Sequence, residues 1–311
     1  MYRLIAMAAG FAALALGTAG SGHALTVSDL VQCEWTGDGE CDEPGIGTGL
    51  CPAGTDTRDC KGLSLAPADD PFFGHDDRVV IRPMRRPWSA IGRLDLADGH
   101  CTGTLVSPRV VLTAAHCFFD DRGSRIDALE FRAGQDRESA IATSPIGSYW
   151  ISPEYDYARF REASGMDGLD YAFVVLSRPI GHQSGWFSVG EPDNFVATDR
   201  RGLVVSQAGY SSDSQDLMTA HVGCRIIGTD LYEPGTIQHD CDTLSGDSGS
   251  PLFVKDGAQF RILAVESSTY AGDMPINIAV DARVFASRLA SFIRKIEGVT
   301  DFTGVAHSDA D

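Results

Sequence analysis

The chain has 311 residues, of which 43% are hydrophobic, so it can form one large domain or two smaller domains with a full core. Its formal net charge is −18, from 43 acidic and 25 basic side chains. Binding to phosphates or anionic lipids requires clustered Lys and Arg, so this balance excludes nucleic acid as the expected partner.

Residues 1–24 have the pattern of a secretory signal. Arg3 is followed by an apolar run at 4–16 and then by small residues that end at Ala24. The apolar run is shorter than the roughly 20 residues that a membrane-spanning helix needs. We therefore predict removal near Ala24, rather than a retained anchor. The mature chain is then secreted or periplasmic and has no membrane span.

Residues 25–62 form a predicted Cys-rich module. The module has too few aliphatic side chains to bury a core, so disulfides must hold it together. The sequence does not select among the possible pairings of its cysteines, which are Cys33, Cys41, Cys51 and Cys60. At 63–78, prolines and acidic runs predict an extended linker or pro-segment.

From Val79 onward, short β-rich runs alternate with turn residues, which indicates an antiparallel sandwich or barrel. Near the C-terminus, apolar residues recur every three to four positions, which predicts one amphipathic helix capped by Asp281. The tail at 299–311 is mostly polar, and we predict that it is flexible. Examples of the β-rich runs lie at 88–96, 105–112, 129–133, 171–176, 203–208, 251–254, 262–265 and 276–280.

The run GDSGSP at 246–251 contains a candidate nucleophile, Ser248. A serine hydroxyl is a weak nucleophile, so it needs an adjacent base and a tight turn that presents backbone N–H groups. Gly246 and Gly249 permit such a turn, and the N–H groups of Gly246 and Ser248 can then converge on an oxyanion. Alone, this run is equally compatible with an ordinary surface turn.

Two further runs contain candidate partners of Ser248. LTAAHC at 112–117 places His116 beside small residues at the end of a strand. GLDYAFVVL at 168–176 places Asp170 directly before an apolar strand, where a partly buried acid needs a hydrogen-bond partner. Singly, such residues are more often structural. Asp156 and Asp167 are rival acids, but neither leads straight into a buried strand.

Together, TAAHC, DYAFVVL and GDSGSP resemble the trypsin/chymotrypsin-like serine peptidases over most of residues 79–298. HDCDTLSGDSGSP is similar to the bacterial secreted branch that includes V8-like glutamyl endopeptidases. The resemblance implies an all-β peptidase domain at 79–298, with two packed antiparallel six-stranded β-barrels and a C-terminal helix, preceded by the disulfide-rich module. It also implies a disulfide between Cys101 and Cys117 and assigns disulfide roles to Cys224 and Cys241.

The resemblance further implies a monomeric serine endopeptidase that acts on proteins or peptides. His116 removes the Ser248 proton, Asp170 orients His116, and the N–H groups of Gly246 and Ser248 form the oxyanion hole. No metal or organic cofactor is required. A non-catalytic exported binding protein on the same fold and an esterase are the alternatives, although GDSGSP differs from the G-x-S-x-G elbow of the hydrolases.

The resemblance places the specificity pocket at Asp242, Thr243 and Glu266. An acid in this pocket favours Lys or Arg before the cut bond through a charge-assisted pair, so we predict basic specificity. One alternative is the glutamyl specificity of the V8-like branch, which uses a histidine that the run around Glu266 lacks. The other is a structural role for Asp242, with its carboxylate paired to backbone amides.

The resemblance also suggests a zymogen. In trypsin-like members a new amino terminus pairs with the acid before the serine, which is Asp247 in this chain. Arg78 followed by Val79 is a basic cut site, and we predict cleavage after Arg78. The usual glycine pair after the new terminus is missing, and the alternative is a linker that is never processed.

The Cys-rich module is similar to a truncated Lin-12/Notch-type repeat. That similarity implies calcium ligands of the hard-oxygen kind at Asp38, Asp42, Asp56 and Asp59. The module has four cysteines where such a repeat has six, and the alternative is a stapled spacer or pro-region.

Overall fold

The computed structural model describes residues 35–37, 39, 41–42, 51, 56, 58–60, 76–163, 165–191, 200–214, 216–229, 233–270 and 276–298. The predicted signal at 1–24, most of the predicted linker and the predicted tail at 299–311 lie outside these residues.

A closed barrel forms the first half of the peptidase domain. Its strands follow one another around the barrel in the order β2-β3-β4-β7-β6-β5, and all of the pairings are antiparallel. β4 is buried along its whole length, as expected for a run of β-branched and aliphatic residues. The strands are β1 Val79–Ile81, β2 Ile91–Leu96, β3 His100–Leu105, β4 Val110–Thr113, β5 Ala128–Asp136, β6 Ser139–Ile151 and β7 Ala172–Leu176.

The second half is also a barrel. Its strands run in the order β10-β11-β14-β13-β12-β9, and the pairing of β9 with β10 closes the circle. β1 adds to the outside of β10, and β8 runs parallel to β13. The predicted pair of six-stranded barrels is therefore confirmed. The strands are β8 Ser188–Val189, β9 Val204–Gly209, β10 Met218–Thr229, β11 Thr236–His239, β12 Pro251–Asp256, β13 Gln259–Tyr270 and β14 Ile276–Asp281.

The helices are α1 Tyr157–Glu162, α2 Gly181–Ser184 and α3 Ala282–Glu297. α3 is the predicted C-terminal helix, and its predicted cap is confirmed because the Asp281 carboxylate accepts the Arg283 N–H at 2.9 Å. No helix in the described ranges combines the length and apolar character needed to cross a membrane.

α3 returns from the second barrel and packs on the first. The Phe285 ring lies 5.0 Å from Tyr171, and the Phe292 ring lies 5.3 Å from Phe173. Tyr171 directly follows Asp170 in the chain, and Phe173 lies two residues further on in β7. The helix therefore holds the strand that positions the candidate acid.

The strand prediction differs from the structure in two respects. The run at 105–112 is not one strand, because the chain turns between β3 and β4, where the Val106 N–H donates to the Val110 carbonyl. The example runs do not include β6, β10 or β11, and in the long strands β6 and β10 many side chains face solvent and break the apolar pattern.

The described part of the Cys-rich module touches the peptidase domain. Cys41 and Cys60 form a disulfide. The buried Asp42 carboxylate lies 2.7 Å from Arg85 Nη2, and the same guanidinium lies 4.1 Å from the centre of the Trp35 ring.

Candidate active site

The register of the first barrel brings His116 and Asp170 together. Thr113 at the end of β4 faces Ala172 at the start of β7. The chain that leaves β4 and the chain that enters β7 therefore meet at the same edge of the barrel. His116 begins a short 3₁₀ turn after β4, and Asp170 directly precedes the β7 region.

Asp170 holds the His116 ring in one orientation. Its Oδ2 lies 2.7 Å from His116 Nδ1, and its Oδ1 accepts the backbone N–H of His116 at 2.7 Å. The Ser267 hydroxyl donates to Oδ2 at 2.5 Å. An ionised carboxylate only accepts hydrogen bonds, so Nδ1 carries the ring proton and Nε2 is left free to accept one.

Aromatic side chains enclose this pair. The Phe160 ring stacks on the His116 ring at 5.1 Å with an interplanar angle of 8°. Burial raises the pKa of the Tyr155 phenol, and the charge of Asp170 raises it further. Asp170 is fully buried, whereas the His116 side chain keeps 19% of its surface exposed. The imidazole can therefore meet a substrate while its partner is shielded from water.

The nucleophile loop, which we define as residues 242–250, reaches this site from the second barrel. The Thr102 N–H of β3 donates to the Ser248 carbonyl at 2.9 Å. The Gly249 N–H donates to the Glu266 carbonyl on β13 at 2.8 Å. A Cβ at Gly249 would lie 2.3 Å from Thr113 Oγ1, so only glycine lets the loop approach the strand that leads to His116.

Gly246 and Ser248 present N–H groups that no other described residue accepts. In the same loop, by contrast, the N–H groups of Asp247, Gly249 and Ser250 all donate to backbone carbonyls. Gly246 has φ of 98°, a conformation that L side chains rarely adopt. Two free donors beside a serine are what an oxyanion site needs.

Ser248 is half-buried between the two barrels. Its hydroxyl makes no hydrogen bond to His116 Nε2 within the described part of the chain. Such catalytic contacts are often long without substrate and tighten when it binds. The structure thus brings the His and Asp candidates into direct contact and places the Ser candidate on the facing loop.

The trypsin family model matches residues 80–292, a range that contains His116, Asp170 and Ser248 together with both barrels. The chain belongs to the trypsin family.

Curated relatives come from bacteria and animals. A glutamyl endopeptidase of Bacillus licheniformis is 29% identical over 207 residues, which cover 64% of this chain and 61% of the relative. Transmembrane protease serine 5 of Homo sapiens is 26% identical over 207 residues, covering 60% of this chain and 44% of the relative. A trypsin of Saccharopolyspora erythraea is 27% identical over 202 residues, covering 60% and 82%. The chain thus spans less than two thirds of the first two relatives.

A solved structure of a Glu endopeptidase in complex with MPD has the same fold. Its TM-score is 0.59 at 21% sequence identity, and the match covers 73% of this chain and 99% of that one. The predicted resemblance to the trypsin/chymotrypsin-like serine peptidases is confirmed by the family model, and the predicted similarity to the bacterial V8-like branch agrees with the Bacillus licheniformis relative. The Lin-12/Notch similarity of the module stays a prediction.

The rival acids have other partners in this trypsin-family chain. The Asp156 carboxylate caps α1 by accepting the Ala158 N–H at 2.9 Å. Asp167 lies 2.8 Å from Arg159 Nη2 and accepts the Leu169 N–H at 2.8 Å. Neither contacts His116, which leaves Asp170 as the acid beside the imidazole.

Two disulfides hold the segments on either side of the site. Cys101 pairs with Cys117, directly after His116, as the resemblance implies. Cys224 pairs with Cys241 and so ties β10 to the start of the nucleophile loop. Because each bond crosslinks strand to loop, both loops are constrained before any substrate arrives.

The predicted pocket residues Asp242, Thr243 and Glu266 are all buried, but they are not equivalent. The Asp242 carboxylate accepts the Asp77 N–H at 2.7 Å and lies 3.3 Å from His221 Nδ1. The carboxylate of Asp242 therefore already has partners in the fold, which matches the structural alternative considered for it.

Glu266 lies beside His239, a neighbour that sequence reasoning missed. His239 Nδ1 accepts the Cys241 N–H at 3.3 Å, so Nε2 carries the proton and lies 2.8 Å from Glu266 Oε2. The N–H of Nε2 is not aligned for a regular hydrogen bond, and the contact is electrostatic. Burial raises the pKa of Glu266, and His239 partly offsets that effect.

Asp247, the acid before the nucleophile, is buried and incompletely paired. Its Oδ2 accepts the Leu244 N–H at 2.9 Å, whereas its Oδ1 has no hydrogen-bond partner among the described residues. Burial raises the pKa of Asp247 to about 7, and the Leu244 N–H and the charge of Arg78 oppose the rise. The carboxyl is therefore partly protonated near neutral pH.

Asp247 is expected to make folding stability fall as pH rises. Folded Asp247 keeps its proton up to about pH 7, whereas the unfolded residue releases it at its ordinary, lower pKa. The folded state therefore binds more protons between about pH 4 and pH 7, and stability is lost across that window as pH rises. As pH rises from 4 to 7, we expect the free energy of unfolding of Asp247→Asn to increase relative to that of wild type by on the order of 4 kcal/mol.

Urea unfolding of both proteins at pH 4, 5.5 and 7 measures this difference. Asp98→Asn, in an exposed hairpin, is the matched control, and its free energy of unfolding should equal that of wild type at every pH. A gap between Asp247→Asn and wild type that stays constant from pH 4 to pH 7 would contradict the assignment.

The described carboxylates of the predicted calcium site already have protein partners. Asp42 pairs with Arg85, Asp56 Oδ2 accepts the Asp42 N–H at 2.7 Å, and Asp59 Oδ2 accepts the Gly37 N–H at 2.6 Å. Asp38 lies outside the described residues. Elsewhere, ligand atoms of Asp77, His221 and Asp242 lie within 4.8 Å of one another, but Asp242 Oδ2 and His221 Nδ1 each accept a backbone N–H.

Proposed function

We propose that the chain is a serine endopeptidase that uses His116, Asp170 and Ser248. The observation that carries the proposal is the pair of unaccepted N–H groups, on Gly246 and Ser248, beside a half-buried serine. A non-catalytic binding protein has no need for donors that are left free at that position. The buried pair of Asp170 and His116 supplies the base.

In the proposed acylation step, Ser248 Oγ attacks the scissile carbonyl carbon while His116 Nε2 takes the hydroxyl proton. The carbonyl oxygen becomes an oxyanion and accepts the N–H groups of Gly246 and Ser248. His116 then gives its proton to the leaving amine, and the C–N bond breaks. Asp170 keeps Nδ1 protonated and stabilises the transient imidazolium throughout.

In deacylation, water replaces the departed amine. His116 Nε2 takes a proton from that water, whose oxygen attacks the acyl carbon, and the proton then returns to Ser248 Oγ as the ester bond breaks. Every proton is moved by His116, so no step requires a metal or an organic cofactor.

Labelling with a fluorophosphonate probe tests this function. The probe reacts with activated serines, and peptide mapping by mass spectrometry is expected to find it on Ser248 alone. Boiled protein is the matched control, because the activation of Ser248 depends on the folded site. An unreactive wild type that also leaves casein intact would favour the exported binding protein on the same fold.

The proposal includes export, a monomeric state and protein or peptide substrates. The signal-like segment at 1–24 and the disulfides support a secreted or periplasmic enzyme. Calcium in the Cys-rich module stays a prediction, and no step of the reaction depends on it.

For specificity, we propose Lys or Arg before the cut bond, with Glu266 as the main determinant. Glu266 is buried on β13, one residue before the Ser267 that contacts Asp170. Thr243 and Thr269, the latter also on β13, approach each other at 3.4 Å between their hydroxyl oxygens. A buried carboxylate attracts an ammonium or guanidinium and repels a carboxylate.

Glutamyl specificity is the second candidate, and the comparisons favour it. Both the Bacillus licheniformis relative and the solved structure are named as Glu endopeptidases. If His239 were protonated, it would supply the positive charge that a glutamate side chain needs. The buried Glu266 lies 2.8 Å from His239, and its carboxylate would repel a glutamate side chain in the same pocket, which is why we propose basic specificity.

A peptide-library digest, read by mass spectrometry, separates the two specificities. We expect cuts after Lys and Arg, and a loss of about 10- to 100-fold in kcat/KM for these substrates in Glu266→Gln, since one charge-assisted contact disappears. Asp242→Ser should reduce kcat/KM for these substrates by a smaller factor, because the Asp242 carboxylate already accepts the Asp77 N–H. Glu138→Gln, on an exposed turn, is the control and should retain wild-type kcat/KM. Cuts after Glu would contradict basic specificity and support the glutamyl alternative.

A further inference from the structure

Residues 76–79 lie against the nucleophile loop before they enter β1. β1 pairs with β10, with Val79 opposite Ala220, so the backbone is fixed directly after Arg78. The predicted cleavage site, between Arg78 and Val79, therefore lies at the start of an ordered strand.

The Arg78 side chain is buried, with 1% of its surface exposed, and is held by acids and a hydroxyl. Its Nε and Nη2 donate to Asp76, at 2.9 and 2.8 Å. Its Nη2 and Nη1 also donate to Asp213, at 2.7 and 3.2 Å, and Nη1 donates to Ser211 Oγ at 3.1 Å. A peptidase that cuts after Arg must first extract this side chain from its partners.

The turn at 211–213, to which Arg78 donates its hydrogen bonds, contacts Gly246, one of the two oxyanion donors. Between Ser211 and Asp213, the Ser212 N–H donates to the Ser245 carbonyl at 2.8 Å. A Cβ on Gly246 would lie 2.4 Å from the Tyr210 carbonyl oxygen, so this turn is in direct contact with Gly246. Arg78 therefore acts on the position of the Gly246 N–H through two contacts.

Asp77, the residue before Arg78, holds the start of the nucleophile loop. The Asp77 N–H donates to Asp242 Oδ2 at 2.7 Å. Asp77 and Arg78 thus hold the start and the middle of the nucleophile loop, and both depend on β1 for their own position. A cut after Arg78 would separate both residues from that strand.

We propose that the enzyme works with the Arg78–Val79 bond intact and that Arg78 is a positioning residue for the oxyanion donors. The proposal rests on the serine endopeptidase function above and replaces the predicted cleavage after Arg78. The positive charge of Arg78 also acts on the buried Asp247, beside the nucleophile, without any new amino terminus.

The first test uses the full exported chain, labelled with the fluorophosphonate probe and examined by intact mass and N-terminal sequencing. We expect the labelled, active protein to retain residues upstream of Val79. Labelled protein that begins only at Val79 would overturn this proposal while leaving the endopeptidase function intact. A wild type that is neither labelled nor able to cut peptides would contradict both.

The second test separates the positioning role of Arg78 from its predicted role as a cleavage site. Asp213→Asn leaves the Arg78–Val79 bond unchanged but removes an anionic partner of Arg78. We expect kcat per titrated site to fall about tenfold in Asp213→Asn and more in Arg78→Gln, because misplaced oxyanion donors act on the transition state, with KM changing less. Arg78→Lys should recover part of the loss.

Arg82→Gln, a half-buried arginine just after the same strand, is the matched control and should retain wild-type kcat. A merely structural role for Arg78 would lower the melting temperature and the fraction of titratable sites, but not kcat per site. Unchanged kcat per site in both Arg78→Gln and Asp213→Asn would overturn the proposal.

Discussion

Ser248→Ala is expected to lower kcat/KM for peptide amides by about 10⁴- to 10⁶-fold and to abolish fluorophosphonate labelling. The substitution removes the only atom that forms the acyl bond, and it leaves the backbone N–H groups of Gly246 and Ser248 in place. Substrate should therefore still bind, with KM close to wild type. Initial rates on a peptide anilide measure the first effect. Competitive binding of the peptide acid that forms as product, which makes no bond to Ser248 Oγ, measures the second.

The control for this substitution is Ser287→Ala, an exposed serine on α3. It loses the same hydroxyl far from the cleft and should retain full activity. If Ser248→Ala kept more than about a hundredth of wild-type activity, Ser248 would not be the nucleophile and the acyl-enzyme route would be wrong.

Asp170→Asn is expected to lower kcat by about 10⁴-fold, with little change in KM. In the wild type, three donors converge on this carboxylate: the N–H and Nδ1 of His116 and the hydroxyl of Ser267. An amide offers one accepting oxygen and one donating nitrogen, so it cannot satisfy all three. The His116 ring then loses the partner that keeps Nδ1 protonated, and Nε2 no longer accepts the Ser248 proton.

Asp156→Asn is the matched control for this prediction. Asp156 caps α1 close to the site, and asparagine caps helices about as well, so activity and stability should both stay near wild type. Steady-state kinetics together with thermal melting of both variants check the prediction. A drop of less than about tenfold in Asp170→Asn would show that another group orients His116.

The catalytic candidates were predictable from sequence because each depends on local chemistry. A glycine on either side of Ser248, small residues before His116 and an apolar strand after Asp170 are all visible within short runs. The cap at Asp281 was predictable for the same reason, because a capping side chain bonds within its own first turn.

Contacts between distant segments could not be predicted in this way. Ser267 reaches Asp170 across 97 positions of the chain, and Phe160 stacks on His116 from helix α1. Neither residue type is distinctive in its own run. The pairing of His239 with Glu266 likewise depends on how β11 and β13 lie across β14.

The predictions about specificity and activation also start from local sequence patterns, whereas the partners of the residues concerned come from distant segments. Asp242 was placed in the pocket from its spacing to Ser248, but its carboxylate is bound by Asp77, more than 160 residues upstream. The basic side chain of Arg78 predicts a cleavage site, and that prediction stays untested. The burial of the same side chain between Asp76 and Asp213 follows only from the fold.

The sequence by itself determined which chemical groups the chain carries and which short turns can present them, since turn geometry, capping and strand propensity act over a few residues. Only the tertiary structure decided which groups meet and which charges are already paired. Strand register and barrel closure set those distances, and they result from burial summed over the whole chain rather than from any single run.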